Sequence, residues 1–456
     1  MATAVLDIGK TNTKLVVIDD DGQALWTARQ TNRVLPGPPY PHADTEAIWS
    51  FALRSLREAA KRAPVDAVVT TTHGATAALV DSSGLVLPIL DYEHPAPGEE
   101  DHGYAEIRPP FSEILSPALP QGLNLGRQVH WLSRRFPAAF ARARHLLMYP
   151  QYWGWRLSGV AATEVTSLGA HTDLWEPRER RYSRLVRDGD WERLFPPLMP
   201  GHVVLGPVTA QVAAETGLPA DCRVICGIHD SNASLLPHRL GRAAPFAVVS
   251  TGTWVISMAV GATAPLDETR DTLANVDVHG EPVNTARFMG GRDHESIVPN
   301  GAPPATDADV AAAIAAGFMA LPCFGAPCGP FPASRGRTVP PLPDDDPLRP
   351  ALGALYLALM TDQCLDLIGA TGDTVVEGSL VSNRAYLSLL AALRPGGRIL
   401  ASGDATGTSQ GAAMLARWGF TGAMPNAGVV APGKWSGLDA FRRAWLDELH
   451  PAASVP

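Results

Sequence analysis

The run ICGIHDSNASLLP carries Asp230 directly after an apolar stretch, with Gly227 before it and Ser231-Asn232-Ala233-Ser234 after it. A carboxylate at the end of a buried strand, followed by small residues that leave room for a ligand, can accept a proton from an attacking hydroxyl. Phosphoryl transfer needs such a group, because there the protein chiefly positions and neutralises. The small residues also open a helix whose first amides can meet anionic oxygen. His229, adjacent, can hydrogen-bond the hydroxyl-bearing molecule. The same placement suits an ordinary N-cap, and the local residues leave both roles open.

A second chemistry-bearing stretch lies near the start, VLDIGKTNTKLVVID from Val5 to Asp19. The flanking residues favour extended chain, so the spacing predicts a β-hairpin with GKTN at its tip. Gly9 lets backbone approach a ligand closely, and the amides of residues 10–12 can form an anion-binding nest. Thr11 and Asn12 add neutral donors; Lys10 and Lys14 add charge. Asp7, just before the glycine, can hold Mg2+ through water. Gly-Lys-Thr is also the tail of a P-loop, but position 5 is Val rather than the required glycine. The next segment is strand-like, so no helix N-terminus faces a phosphate. On these residues alone an ordinary solvated hairpin fits as well.

The scheme recurs in AVVSTGTWVISMAV from Ala247, where Ser250-Thr251-Gly252-Thr253 separates two apolar runs. Here Thr251, Gly252 and Thr253 would grip phosphate through amides and hydroxyls, without a lysine. Two such hairpins, one opening each half, suggest a duplicated domain gripping a triphosphate from both sides.

The elements that must position these tips follow from periodicity. Helices are expected at 45–62, 128–140, 149–157, 308–320, 352–368, 384–393 and 411–418. Strands are expected at 65–74, 203–205, 223–226, 374–377 and 398–401. Strands and helices mix in both halves, which gives an α/β protein of two related lobes, 1–240 and 241–456, with the linker expected near Pro237–Ala244, where Pro, Gly and Arg cluster.

Composition bounds the rest. The chain has 456 residues, 46% apolar and 18% charged, with a formal net charge of -9. That balance argues against a nucleic-acid footprint and permits a small anionic ligand in a local pocket. MATAVLDIGK has no basic n-region and reads as a strand, so no secretory leader is expected. Prolines interrupt the longest uncharged run, so no membrane span is expected. Five cysteines at this length point away from a disulfide framework and toward a cytoplasmic home.

These motifs resemble the FGGY family of carbohydrate kinases. DIGKTNTK looks like that family's first phosphate motif, STGTW its second, and GIHDSNAS the segment carrying the catalytic base, which falls on Asp230. VEGSLVSNRAYLSLLAAL resembles the adenosine turn, so Gly378, Ser379 and Asn383 would line the nucleotide. The His-Asp dipeptide and FMGGRDHE are similar to the L-rhamnulokinase and L-fuculokinase group. The resemblance implies two ribonuclease-H-like (actin/Hsp70-type ATPase) lobes around a central cleft. It also implies ATP and Mg2+, the ion near Asp7 and Asp230, and phosphoryl transfer to a hydroxyl of a ketose such as L-rhamnulose, L-fuculose or xylulose. The sugar would meet His73, Gly74, Asp91, His229 and Arg287. A homodimer is one open assembly. The chain departs from the pattern in places: Lys10 replaces a small residue, Ser379 replaces the second adenosine glycine with the spacing to Asn383 one residue long, GDATGTSQGAA carries extra residues, and Gln151-Tyr152 stands where Asp-Tyr is common.

GTSQG, residues 407–411, matches a nucleophile elbow with Ser409, but no strand runs straight into the serine. His73, His94, Asp91 and Glu93 lack metal-ligand spacing. Tyr149, Tyr152, Trp153 and Trp155 have the helical spacing of core aromatics, one of them free to stack on a sugar. The second functional class is a sugar- or nucleotide-binding regulator that kept the fold and lost catalysis, for which the altered adenosine turn speaks.

Overall fold

A computed structural model describes residues 1–100, 103–325, 327–403, 407–419 and 427–449. The chain forms two compact units. The first comprises Met1–Gly241, Ala274–Pro282 and Thr406–Met424; the second comprises Arg242–Leu273, Val283–Ala405 and Pro425–Pro456.

The sheet of the first unit contains β1 (Ala2–Ile8), β2 (Asn12–Asp19), β3 (Ala24–Thr31), β4 (Val65–Thr72), β5 (Val204–Pro207) and β6 (Arg223–His229), in the order β5-β6-β4-β1-β2-β3. β1 is buried at all seven positions. A central strand covered on both faces reads as a nearly continuous apolar run, as ATAVLDI does. Helix α1 (Thr45–Ala60) starts where the Asp44 side chain accepts from Ala47 N, and buries Ile48, Phe51, Ala52 and Leu56 against one face. Helix α2 (Tyr149–Ser158) packs Tyr149, Tyr152 and Trp153 into the same core; Trp155 is only partly buried. Asp230 opens α3 (Asp230–Gly241) directly at the end of β6.

The second unit repeats this design. Its main sheet includes β7 (Phe246–Thr251), β8 (Val255–Val260), β9 (Pro282–Phe288), β10 (Asp373–Gly378), β11 (Ile399–Ser402) and β12 (Ala427–Val429). Six neighbouring strands run β12-β11-β10-β7-β8-β9. Every pairing direction matches the first sheet. β1 and β7 each form an antiparallel hairpin with the next strand and lie parallel to β4 and β10. β6 and β11 continue in parallel, and β5 and β12 close the edge antiparallel. The core gathers on helix α4 (Arg349–Leu367), which is buried nearly all round, and on α5 (Arg384–Leu393).

Three expected helices differ. The one over 128–140 is two, Leu125–Arg135 and Pro137–Arg142, because Pro137 cannot continue a helix but opens one well. The one over 308–320 stops at Gly317, which takes φ 68°, and Met319–Leu321 is a strand. The last is α6 (Gly407–Leu415), four residues earlier than expected. No helix among the described residues is long and apolar enough to cross a membrane.

Proline 237 lies inside α3 rather than in a linker. Lacking an N–H, it leaves the Ala233 carbonyl without its helical partner. Helix α6 crosses at that spot through Gly411, where a Cβ would overlap Ala233 O and stand 3.0 Å from Pro237 Cδ.

Candidate active site

The first hairpin forms as its residues require. Gly9 N donates to Asn12 O at 2.9 Å, and Asn32 braces the tip by donating from Nδ2 to Gly9 O at 2.8 Å. Neither the Lys10 nor the Thr11 amide has a partner among the described residues, which leaves two donors at the tip. Thr11 and Asn12 are exposed. The lysines are engaged. Lys14 Nζ lies 3.0 Å from Asp7 Oδ2, its partner in the β1–β2 register. Lys10 turns to the other side of the tip, where it ion-pairs with Asp91 and stands 3.5 Å from Glu93. The charge expected at the phosphate tip is therefore neutralised by carboxylates.

Asp7 is 7% exposed and also accepts from Ser409 Oγ at 3.1 Å. Ser409 lies within helix α6, so it supports a carboxylate and sits in no nucleophile elbow. Residues 404–406, part of the segment that precedes it, lie outside the described residues.

The chemistry concentrates at the end of β6. Asp230 Oδ1 accepts from Ser231 N at 2.6 Å and lies 3.3 Å from His229 Nε2. Both contacts fall on one oxygen, which leaves Oδ2 to take a proton. Burial pushes the Asp230 carboxyl up to about 6; His73 nearby opposes the rise and the Asp7 charge adds to it. Its side chain keeps 32% of its surface open. It is thus poised near neutrality, where a general base works best.

Both histidines are held neutral at pH 7. Burial lowers His229 to about 4 and lowers His73 as well. His73 Nδ1 lies 2.9 Å from Gly74 O, which fixes the proton there and leaves Nε2 as an acceptor. The His73 ring packs 5.1 Å from Tyr149 and 5.6 Å from Tyr92. Gly74 is a glycine for a steric reason: a Cβ would come within 2.8 Å of His229 Nε2.

Two residues that position this junction escaped the sequence reading. Gln151 is fully buried and donates from Nε2 to Cys226 O and Gly227 O, both at 3.1 Å. Gly227 has φ 82°, and a Cβ there would overlap Thr70 O, so the strand bends at this point. An amide can donate to two carbonyls; an ionised carboxylate cannot, which accounts for Gln rather than Asp. Glu164, also fully buried, accepts from Thr166 N and Oγ1 at 3.0 and 2.6 Å, and Thr166 Oγ1 in turn accepts from His229 N at 3.1 Å. Burial raises Glu164 to about 7 against the Thr166 bonds that lower it. The sequence signal for both was weak: one departure from pattern and one acid in a polar loop.

In the second unit the tip closes through Gly252 N to Trp254 O at 2.9 Å. Thr251 is buried; its hydroxyl donates to Glu377 O at 2.6 Å and accepts from Leu380 N at 3.0 Å. It ties the hairpin to the 378–383 turn and is not free for a phosphate. Thr253 is exposed. Gly378 takes φ 91°, whereas Ser379 has no positive φ, so a side chain is tolerated there. Asn383 caps α5 by accepting from Tyr386 N at 3.0 Å. Arg287 pairs with Asp271 at 3.1 Å and lies over the Trp254 ring. The structure therefore gathers Asp7, Lys10, His73, Gly74, Asp91, His229 and Asp230 in the first unit, and Thr251, Gly252, Gly378 and Arg287 in the second. Among the described residues no group of three or more His, Cys, Asp or Glu side chains could by itself hold a metal.

Residues 2–237 match the FGGY family of carbohydrate kinases, N-terminal domain, and residues 243–424 match Carbohydrate kinase FGGY, C-terminal domain. The chain belongs to the FGGY family. A carbohydrate kinase from Novosphingobium aromaticivorans has the same fold, with 36% identity and a TM-score of 0.92 over 99% of both chains. The FGGY chain described here is also 27% identical over 271 residues to an L-fuculokinase of Salmonella typhi, covering 56% of this chain and 55% of that enzyme. It is 25% identical over 301 residues to an L-xylulose/3-keto-L-gulonate kinase of Escherichia coli, covering 62% and 58%. It thus spans a little over half the length of these curated relatives.

Proposed function

We propose that this FGGY protein is an ATP-dependent kinase that transfers the γ-phosphoryl group to a hydroxyl of a ketose of the L-fuculose, L-rhamnulose or xylulose type. The observation that carries the reading is Asp230: a carboxylate raised to about 6, with one free oxygen and one third of its surface open, beside Asp7 of the phosphate hairpin.

In this reading the sugar hydroxyl gives its proton to Asp230 Oδ2 as its oxygen attacks phosphorus, and ADP leaves. His73 Nε2 and Asp91 accept from neighbouring hydroxyls, and His229 keeps the Asp230 carboxylate turned by donating to Oδ1. The free amides of Lys10 and Thr11, with the side chains of Thr11 and Asn12, bind phosphate oxygens. Gly252 and Thr253 are assigned the same kind of contact, and Gly378, Ser379 and Asn383 the adenosine.

Asp7 and Asp230 fit a hydrated Mg2+. Burial raises the Asp230 carboxyl and the Asp7 charge adds to the rise, and Mg2+ takes one or two carboxylates together with water and phosphate. The ion would supply charge neutralisation at the phosphate oxygens.

Coupled ADP release over a panel of ketoses tests the reading. Sugar-stimulated turnover by one or two of them supports it. ATP and sugar binding without turnover would favour the regulator instead.

A further inference from the structure

Lys10 and Asp91 have been given different clients, phosphate and sugar, yet they hold each other. Lys10 belongs to the phosphate tip, between Gly9 and the free Thr11 amide. Its ammonium nevertheless ion-pairs with Asp91, stands 3.5 Å from Glu93 Oε2, and lies 4.4 Å over the Tyr92 ring. The pair is well covered, with side-chain exposures of 24% for Lys10 and 9% for Asp91. Beneath it is a cavity of about 30 Å³ lined by Gly9, Lys10, His73, Asp91, Tyr92 and Tyr149. That space holds roughly one water or one hydroxyl group.

A sugar hydroxyl that donates to Asp91 from this cavity takes up part of the charge of the carboxylate whose Oδ1 meets Lys10 and the Glu93 amide, and so loosens its hold on the ammonium. Lysine is suited to the exchange, being a point charge on a flexible four-carbon stem rather than a planar fork.

We propose that Lys10 couples the two substrates. Without sugar, Asp91 and Glu93 hold its charge away from the phosphates. When a sugar hydroxyl engages Asp91, the ammonium is released to the γ-phosphate. The bonds are the same for either acceptor: the link between the γ-phosphorus and the bridging oxygen breaks, and a new phosphorus–oxygen bond forms to the sugar or to water. In both cases the acceptor's proton goes to a base. Withholding Lys10 until the sugar is bound therefore suppresses transfer to water. The inference rests on the kinase reading above and adds the order in which the site acquires its charge.

A double-mutant cycle on the full chain tests it, with sugar-free MgATP hydrolysis and MgATP affinity by calorimetry as readouts. Asp91→Asn frees Lys10, so hydrolysis without sugar rises about tenfold and MgATP binds about fivefold tighter, changes of the size expected for side chains in contact. Glu93→Gln, at a 60% exposed side chain, gives the same changes at smaller size and guards against a folding defect in the first variant. Adding Lys10→Met to either variant abolishes the gains. Unchanged hydrolysis and affinity in Asp91→Asn, or gains that persist in the double variant, would overturn the coupling while leaving the kinase reading intact. Wild-type protein that binds no MgATP would overturn both.

Discussion

Gly74 lies so near the ring of His229 that a Cβ at position 74 would stand 2.8 Å from His229 Nε2, the atom that faces Asp230 Oδ1 at 3.3 Å. The ring is 6% exposed and cannot swing outward. Gly74→Ala must therefore push His229 along the carboxylate. Overpacking of this kind costs about 1–3 kcal/mol. The larger effect is on chemistry, where a misplacement of about 1 Å costs on the order of 10²-fold in kcat/KM. Thermal melts and steady-state kinetics on one preparation separate the two; an active Gly74→Ala would show that His229 does not orient Asp230.

The raised Asp230 carboxyl sets a pH profile. As a base it must be ionised, so kcat/KM climbs with pH up to about 6 and then levels. His229, near 4, stays neutral through that climb and adds no second inflection. A profile flat from pH 5 to 8 would remove Asp230 from the role.

The same shift carries a stability signature. The folded carboxyl lies above its ordinary 3.8, so its stabilising contribution is complete below that pH and is lost as pH rises through about 6. A shift of this size corresponds to about 3 kcal/mol, and the open third of the side chain reduces it to roughly 1–2 kcal/mol. Asp230→Asn should thus be more stable than the wild type at pH 7.5 and little different at pH 4. Its turnover should drop by roughly 10²–10⁴ with nucleotide binding kept. Denaturant titrations at the two pH values check the sign.

Gln151→Glu replaces the donor that holds Cys226 O and Gly227 O with a group that repels both. An unpaired buried charge costs about 3–5 kcal/mol. The variant should lose most of that at pH 8 and recover part of it below pH 5, where the new carboxyl is protonated. Denaturant midpoints measured across that range would show it; pH-independent midpoints would mean that the bend at Gly227 does not depend on this amide.

Much of this architecture is local enough to read from sequence. Both hairpins, the strand into Asp230 and the helices at 45 and 384 are runs of neighbouring residues with clear periodicity. What was missed depends on partners far along the chain. The Lys10 ammonium is claimed by Asp91, 81 positions away, and the Thr251 hydroxyl by residues 126 and 129 positions away. Local chemistry assigned both to phosphate; tertiary contacts assigned them elsewhere. Helix limits failed where one proline or glycine outweighed the surrounding propensity, at Pro137 and Gly317. Pro237, read as a linker residue, is tolerated inside α3 because Gly411 brings another helix against the carbonyl it leaves bare.

That crossing has a consequence for biosynthesis. Helix α6, which supplies Ser409 to Asp7 and buries Ala412, Ala413 and Leu415 with Val5, Val69 and Ile225, is encoded almost four hundred codons after β1. During synthesis the apolar face at Val5, Val69 and Ile225 therefore waits for residues 407–415 to be covered. A fragment stopped after Gly241 lacks that cover and keeps those side chains without their α6 partners.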